Sequence, residues 1–595
     1  MAIVLIRRFF SVLSKTEQKI LWLSLIGIAV SFVFLVGIGL RQSLVRVPTF
    51  GGEYSEALIG RAQFINPLFA TTDVDRDLVR LTFSGLVKPK ETDSGVTFIP
   101  DLADQIDLDA AQTLYTIRLK NDLRWQDGQP LTSADVIFTL QAIQNPDWKS
   151  PLAASVRGAD IKQLDDSTLT IQLQKPYTPF IQALSVGIIP EHLWKNVLPA
   201  NARLAEYNIK PIGSGPFRFS TITKDPNGLI HSYALERNQY FHSQKPYLDR
   251  ITVRFYDSAE LAIQAVERSE VQGLQVLPKQ FRERLTRRPG LRSVLLRLPQ
   301  STNVFFNQQL LPALRDERVR EALGIAVNRS MLIDVALAGE GEPVISPLLP
   351  GMLGYDTSLD SPAFDLERAG KLLDQAGYTL IDAKTYQEGL AKQAAAQTKK
   401  GTTPAENPPA TETRGPANYR VKAGKALSIA ITTAAQPDLT SAAEQIAAWW
   451  RDIGVDATVR TVDPKDMQNQ VLANREFQAL LYGQIFGNDP DPYPFWHSSQ
   501  VRAPGLNLAQ VSDKNIDQLL EQERTVSDNA KRVGLLQQFQ QAIIKLKPAI
   551  FLYRPTYTYI LPTNIHGMEQ RQIVKPSDRW NSITQWYTKT KWAFK

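Results

Sequence analysis

The sequence of 595 residues contains no cysteine. This absence excludes disulfide bonds, cysteine-ligated zinc, iron–sulfur clusters, a cysteine nucleophile and a lipid-modified cysteine. Five histidines are present, and none of them forms an H-E-x-x-H pattern or shares helical metal-ligand spacing with another. The sequence therefore predicts no metal site and no cofactor.

Recognisable catalytic motifs are also missing. There is no nucleotide-binding G-x-x-x-x-G-K-[ST] loop and no G-x-S-x-G nucleophile motif. The one suggestive carboxylate pair, Asp489 and Asp491, lies in a proline-rich loop. A hydrolase needs two carboxylates that face one bond, but a rigid turn or a loop that contacts a solute explains the same pattern. We predict that the chain is not an enzyme and keep an extracytoplasmic hydrolase as an alternative.

The charge balance is weakly basic, with a formal net charge of +7 and a pI near 9.2. Nucleic-acid binders concentrate positive charge in one patch. Here lysine and arginine are scattered, apart from one dense stretch at Phe281–Arg297 that is typical of a solvated surface. No nucleic-acid partner is expected.

A long apolar run occupies Ile20–Leu40 without a single charge. About 21 residues in a helix span the roughly 30 Å hydrocarbon core of a bilayer. Four basic residues precede the run, and positive charge favours the cytoplasmic side. The pattern predicts a cytoplasmic tail over 1–19, a transmembrane anchor over 20–40 and a body outside the cell membrane. A cleaved signal peptide is the alternative, but the run is longer than a usual signal core and no small-x-small site follows it.

The remaining sequence mixes strand and helix patterns. Leu114–Lys120 alternates apolar and polar residues as a half-buried strand does, and Asp316–Val327 has apolar residues at helical spacing. This mixture predicts an α/β fold. Residues 383–425 are rich in Ala, Lys, Gln, Thr and Pro, so we expect a disordered insertion there, with a short helix near Tyr386–Gln397.

Several motifs occur in a fixed order along the body. They are Ile65–Pro67 (INP), Leu123–Val136 (LRWQDGQPLTSADV), Gly213–Phe217 (GSGPF), Asn238–Phe241 (NQYF), Asn303–Asn307 (NVFFN), Asp316–Arg320 (DERVR) and Leu372–Tyr378 (LLDQAGY). Together they resemble the large solute-binding proteins of peptide and nickel ABC importers, the family of oligopeptide- and dipeptide-binding proteins. The resemblance covers most of residues 50–595.

The resemblance implies a two-lobed, periplasmic-binding-protein-like fold with a third inserted subdomain. Lobe I is expected to contain residues 41–86, 211–299 and 548–595, with the inserted subdomain at 87–210. Lobe II is expected at 300–547 and would contain the disordered insertion.

The resemblance also implies where a solute binds. Members pair the main chain of a peptide with strand edges, and Arg61–Phe64 and Gly483–Gly487 match these pairing stretches. Peptide binders place an aspartate in the second stretch to meet the peptide amine, whereas this sequence has Asn488 there, followed by Asp489. The implied ligand-binding residues are Arg61, Gln63, Phe64, Asn303, Phe305, Tyr482, Gly483, Gln484, Phe486, Asn488, Asp489, Asp491 and Trp496.

The implied function is capture of a peptide between two lobes by a monomeric binder and delivery to an ABC permease in the membrane. Another subunit would hydrolyse ATP. The lobes would close around the solute by a hinge motion. Because no cysteine is available for lipidation, the helix over 20–40 would hold the protein on the bilayer. The alternative is a membrane-anchored binding or chaperone-like protein of the same fold for a non-peptide solute.

Overall fold

The computed structural model describes residues 14–92, 95–398, 415–487, 491–526 and 528–594. We number its strands in chain order. They are β1 (Leu44–Thr49), β2 (Glu53–Ile59), β3 (Val87–Thr92), β4 (Gly95–Pro100), β5 (Ala103–Leu108), β6 (Leu114–Leu119), β7 (Asp160–Gln163), β8 (Thr168–Gln172), β9 (Phe217–Lys224), β10 (Ile230–Arg237), β11 (Arg250–Tyr256), β12 (Gly273–Leu274), β13 (Leu291–Arg297), β14 (Gln300–Phe306), β15 (Gly341–Pro343), β16 (Thr379–Asp382), β17 (Asn418–Lys422), β18 (Lys425–Ala426), β19 (Ser428–Ala434), β20 (Asp456–Val462), β21 (Ala479–Ile485), β22 (Ala549–Pro562) and β23 (Lys589–Phe594).

The α-helices are numbered in the same way, and shorter 3-10 turns lie between them. They are α1 (Lys15–Ser43), α2 (Asp73–Thr82), α3 (Ser133–Gln144), α4 (Glu191–Trp194), α5 (Ala259–Glu267), α6 (Arg282–Thr286), α7 (Glu317–Ile325), α8 (Arg329–Leu337), α9 (Leu366–Gln375), α10 (Ala383–Thr398), α11 (Pro437–Asp452), α12 (Pro464–Asp466), α13 (Tyr493–Trp496), α14 (Lys514–Thr525) and α15 (Asn529–Leu546).

Local sequence signals explain where several helices begin. Thr72 accepts a hydrogen bond from the Asp75 amide at the start of α2, and Asp316 does the same for the Arg318 amide at the start of α7. Such caps satisfy amides that the first helical turn leaves without a partner. Within the described residues, one helix is long and apolar enough to cross a membrane, over Lys15–Leu35.

One sheet extends through both lobes. Its strand order is β20-β19-β21-β14-β22-β12-β2-β11-β10-β9, with β13 and β15 also paired to β22. The predicted α/β class is confirmed. Apolar side chains pack on both faces of the lobe II part of the sheet. Lobe I has its own hydrophobic core. The four strands β5-β6-β8-β7 pack against a further hydrophobic core in the inserted subdomain.

Strand β22 belongs to both lobes. Its first half pairs with β14 and β15 of lobe II, up to Pro555 opposite Gly341. Its second half pairs with β13 of lobe I, from Thr556 opposite Arg297. The partner of β22 changes about eight residues after the boundary predicted between residues 547 and 548, because the sequence of one continuous strand carries no mark of a change in partner.

Two of the family-like motifs, those that contain Gln126 and Gly213, meet in lobe I. The Gln126 amide nitrogen donates to the carbonyls of Thr82 and Phe217, and its oxygen accepts from the Gly213 amide at 3.0 Å. A Cβ atom on Gly213 would lie 2.1 Å from the Thr82 carbonyl oxygen, and one on Gly215 would be almost as close. The GSGPF motif therefore needs glycine because two main chains approach closely there.

Both ends of the stretch 383–425 are folded: the short helix expected near Tyr386–Gln397 is present, and a strand that was not expected lies at the other end. Helix α10 occupies Ala383–Thr398, and β17 pairs with β16 to place Tyr419 and Val421 in buried positions. A few apolar residues in a polar stretch are enough for a strand once β16 offers an edge to pair with. The middle of the predicted insertion lies outside the described residues.

A buried ion cluster joins distant parts of lobe I. The Arg579 guanidinium lies 2.5 Å from Glu56 of β2 and 2.6 Å from Asp77 of α2. The hydroxyls of Tyr54 and Tyr559 donate to the other oxygen of Glu56. All of these side chains are buried. One arginine thus joins β2, α2 and the C-terminal part of the lobe.

We predict that Arg579→Met lowers the free energy of unfolding by about 3–5 kcal/mol, because it leaves two buried carboxylates without their cation. Chemical denaturation of the intact chain measures the effect. Arg571→Met is the matched control, since Arg571 is exposed in the same lobe. Equal midpoints for the two variants would contradict the prediction.

Candidate functional site

Strand β21 is paired along only part of one edge. Residues Ala479–Leu481 pair with β19, and this pairing ends at Leu481. On its other side the whole strand pairs with β14. Across the residues that the structure describes, no strand pairs with the outer edge of residues 482–485. We call this stretch the open edge.

The antiparallel ladder determines which main-chain groups point outward there. The Phe486 amide donates to the Pro299 carbonyl across 2.7 Å, so these two residues form a hydrogen-bonded pair. Hydrogen-bonded and non-hydrogen-bonded pairs alternate along such a ladder. Gln484 therefore also bonds to β14, whereas Gly483 and Ile485 direct their N–H and C=O groups away from it. The Ile485 side chain is 67% exposed, so these groups can accept an added extended chain.

Two buried amide side chains lie beside the open edge on one face of the sheet. The Asn303 amide nitrogen donates to Ser301 Oγ at 2.8 Å and to Gln484 Oε1 at 3.2 Å. In the described structure, Asn303 Oδ1 and Gln484 Nε2 are buried without a hydrogen-bond partner. A buried polar group without a partner costs about 1–3 kcal/mol. The pair therefore offers one acceptor and one donor to a polar solute.

Most of the aromatic residues predicted at the site are core residues. Phe305 and Trp496 are fully buried, with ring centres 6.3 Å apart, and Phe486 packs edge-on against Phe495. Tyr482 is partly exposed. The buried rings support the sheet face, and direct contact of these rings with a solute stays a prediction.

Asp491 forms a two-pronged ion pair with Arg524 of α14. Its two oxygens lie 3.0 and 2.6 Å from the guanidinium nitrogens, and the guanidinium lies 3.9 Å from the centre of the Tyr493 ring. Burial opposes the charge of Arg524, but the hydrogen bonds and charge of Asp491 outweigh it and raise the pKa of Arg524. Asp491 is thus already paired. Arg524 is a candidate that sequence reasoning missed, because its partner lies 33 residues away.

The chain just after β21 reaches the boundary between the lobes at Gly487. Gly487 lines a cavity with Val96 of the inserted subdomain, Pro350 of lobe II and Val574 of lobe I. The next two predicted residues, Asn488 and Asp489, lie outside the described residues. Their contact with a peptide amine stays a prediction.

Arg524 also contacts the inserted subdomain. Its carbonyl accepts a hydrogen bond from Thr178 Oγ1 at 3.2 Å, and its guanidinium lies 5.9 Å from the centre of the Tyr177 ring. A second bridge joins Lys279 of lobe I to Asp438 of lobe II at 2.5 Å. These contacts hold the two sides of the cleft together.

The predicted lobe I contact residues follow β2. Asp75 Oδ1 accepts hydrogen bonds from the amides of Gln63 at 2.7 Å and Phe64 at 3.0 Å. Burial raises the pKa of Asp75, and these hydrogen bonds oppose the rise. Arg61 pairs with Asp257 across 2.8 Å. The amides of Gln63 and Phe64 are therefore bonded within lobe I, and pairing of Arg61–Phe64 with a peptide stays a prediction.

A second ion cluster lies where the chain passes between the lobes. Glu342 accepts hydrogen bonds from Arg297 Nε at 2.7 Å and Arg554 Nε at 2.8 Å. Burial raises the pKa of Glu342, but the two guanidinium groups outweigh it and lower the pKa overall. Sequence reasoning assigned the basic stretch that ends at Arg297 to solvated surface. No local signal in the sequence could have linked these three residues.

Comparison with known proteins decides the family. Residues 97–503, about two thirds of the chain, match the family described as bacterial extracellular solute-binding proteins, family 5. The chain belongs to this family. The predicted membership is confirmed, and the body of such a protein lies outside the cytoplasm.

Individual relatives match over most of their length. The oligopeptide-binding protein AppA of Bacillus subtilis (strain 168) is 25% identical over 87% of this chain and 89% of its own. The di/tripeptide-binding protein 2 of Pseudomonas aeruginosa (strain UCBPP-PA14) is 24% identical over 79% and 84%. The solved structure of the ABC transporter substrate-binding protein CtaP from Listeria monocytogenes covers 91% of this chain and 100% of its own, with a TM-score of 0.72 and 21% identity. These likenesses confirm the fold.

We predict that Arg524→Met opens the cleft, because it removes both the ion pair with Asp491 and the contact with Tyr177. The chain lacks cysteine, so spin labels on Leu229→Cys of lobe I and Lys371→Cys of lobe II report the distance between the lobes. The expected result is a longer or broader distance distribution. Arg502→Met is the control, since Arg502 is exposed in the same lobe. Equal distributions would show that Arg524 does not hold the lobes together.

Proposed function

We propose that this protein captures a peptide between lobes I and II and delivers it to an ABC permease in the membrane. The observation that carries the proposal is the open edge of β21, where Gly483 and Ile485 of an interior strand of the sheet direct main-chain groups away from β14. A peptide can add to such an edge as one more strand. Main-chain pairing gives affinity without selecting a particular sequence.

Relatives support a peptide as the solute. The relatives named above are an oligopeptide-binding and a di/tripeptide-binding protein. Solved structures of the same fold include AppA of Bacillus subtilis with a nonapeptide and DppA of Helicobacter pylori with the peptide STSA. One neighbour, NikZ of Campylobacter jejuni, is complexed with Ni(L-His) instead. A non-peptide solute is therefore the second candidate.

The amides of Asn303 and Gln484 complement this mode of binding. Each leaves one buried polar atom without a partner beside the open edge. A peptide bond carries one donor and one acceptor, so it matches this pair in number and type. A bound peptide that contacts both lobes favours the closed form, because it gains contacts there that the open form lacks.

Helix α1 supplies the anchor in this proposal. The span over Lys15–Leu35 has a mean hydropathy of 1.9 and no buried residue. An apolar helix that packs against no core finds its favourable environment in lipid. The protein is then a single-pass membrane protein with its lobes outside, kept at high local concentration near its permease.

We predict that di- to decapeptides raise the melting temperature of the protein and that Ile485→Pro weakens their binding by about tenfold. Proline removes the N–H that points out from the open edge, a loss of about 1 kcal/mol or more, while edge strands tolerate the ring. A peptide at 100 times its Kd stabilises the fold by roughly 2.7 kcal/mol, which thermal-shift fluorimetry detects.

Ile485→Ala is the matched control, because it shortens the same side chain and keeps the N–H. Equal weakening in both variants would locate binding away from the main chain of β21. A rise in melting temperature with Ni(L-His) and none with peptides would support a solute-binding protein whose solute is not a peptide.

We predict that the intact chain resists extraction from membranes by alkaline carbonate, whereas a chain that begins at Pro48 is released into the soluble fraction. Fractionation followed by immunoblotting distinguishes the two. N-terminal sequencing of the membrane-bound protein supplies the control. A mature N-terminus beyond Leu40 would identify α1 as a cleaved signal and end the anchor proposal.

A further inference from the structure

A two-stranded ribbon begins where α1 ends. Ser43 is the last residue of α1, and β1 starts at Leu44. Strand β1 pairs antiparallel with β23, from Leu44 opposite Phe594 to Thr49 opposite Lys589. Among the described residues no further strand joins these two. The C-terminal strand is thus attached next to the outer end of the proposed membrane helix.

The two faces of this ribbon differ. Side chains alternate between faces along a strand, so Trp592 and Phe594 share one face with Leu44, Arg46 and Pro48. Trp592 is 59% exposed and Phe594 is 70% exposed. The Arg46 guanidinium lies 4.9 Å from the centre of the Trp592 ring. We call this side the aromatic face.

The charge of the ribbon has one sign. Its two strands, LVRVPT and KTKWAF, contain three basic residues and no acidic residue. Arg46 lies on the aromatic face, and Lys589 and Lys591 lie on the opposite face. An isolated two-stranded ribbon with exposed aromatic rings is only marginally stable in water. Tryptophan and basic side chains are favoured where a bilayer meets water, and each basic group near an anionic lipid surface adds attraction.

We propose that the aromatic face lies on the outer surface of the membrane, with Trp592 and Phe594 inserted at the level of the lipid headgroups. The inference rests on the proposed function only for the anchor, since α1 must cross the bilayer to bring the ribbon to it. Because β1 follows α1 directly, the aromatic face starts at the membrane surface, and this favours lipid over another protein as the partner of the face. The ribbon then forms a second membrane contact, which fixes the tilt of lobe I on the membrane.

The position of Thr590 distinguishes a ribbon that lies flat from one that stands upright. Thr590 lies on the aromatic face and pairs with Pro48, four residues from Leu44. At about 3.3 Å per residue it is roughly 13 Å from the end of the helix. A flat ribbon keeps Thr590 at the lipid surface, whereas an upright ribbon lifts it into water.

The absence of cysteine makes the experiment direct. The intact chain is reconstituted into nanodiscs of phosphatidylcholine and phosphatidylglycerol, with an environment-sensitive fluorophore on Thr590→Cys, on Thr49→Cys or on Phe32→Cys within α1. Lipids with a spin label near the headgroup quench a fluorophore at the surface. We expect strong quenching at position 590 and weaker quenching at position 49, which lies on the opposite face.

A label on Leu229→Cys is the distant control. Strand β10 runs from Ile230 to Arg237, and Arg237 lies over the Phe50 ring beside the ribbon, 4.7 Å from its centre. Eight residues of strand place Leu229 about 25 Å from that point. Its fluorescence should not respond to the labelled lipid.

Each outcome is distinct. Quenching at position 590 that disappears in the double variant Trp592→Ser, Phe594→Ser supports the proposal. An unquenched label at position 590, with the label at position 32 shielded within the bilayer, overturns lipid contact of the aromatic face and leaves the anchor proposal intact. A label at 32 that stays in water overturns the anchor itself. A response at 590 that requires added permease would identify a protein partner and overturn lipid docking. A cooperative thermal unfolding transition at the temperature of the unsubstituted protein confirms that each variant is folded.

Discussion

Strand β22 forms part of the sheet in both lobes, and both lobes depend on it. Its first half completes the lobe II sheet and its second half completes the lobe I sheet, so its hydrogen bonds are needed on both sides of the cleft. Main-chain groups in a sheet are costly to leave without partners. The two lobes are therefore joined by a continuous strand at Pro555 and Thr556, in addition to the chain crossing between Arg297 and Gln300. The ion cluster around Glu342 lies at the same point and links β13, β15 and β22.

The same constraint positions the open edge. In the strand order β21-β14-β22, β21 is held two strands from the shared strand, and its end therefore lies close to the cleft. Natural proteins usually cover or shorten exposed strand edges, because such edges invite other chains. An edge left open beside a hinge is explained when pairing with another chain is the function. The amide side chains of Asn303 and Gln484, each with one buried polar atom that has no partner in the described structure, agree with that explanation.

The sequence predicted the family and fold because its motifs are local. Gln126 and the two glycines of GSGPF form a close main-chain contact that only small residues permit. The sequence motif shows this requirement directly. The pairing of Arg524 with Asp491 is not visible, since it joins a helix to a loop residue 33 positions away. Strand β17 was missed for a related reason: its residues form a strand only because β16 lies beside them. Composition alone gave Tyr419 and Val421 no reason to be buried.

The arrangement of the chain also determines which lobe is attached to α1 and the ribbon. Both ends of the described body lie in lobe I, where β1 and β23 form the ribbon next to α1. The chain enters lobe II once, after Arg297, and returns once, along β22. If the anchor and the ribbon hold lobe I on the membrane, lobe II is the part free to rotate. Closure around a solute is then a movement of lobe II toward a lobe of fixed orientation, and the closed surface always presents the same side to a permease in the same membrane.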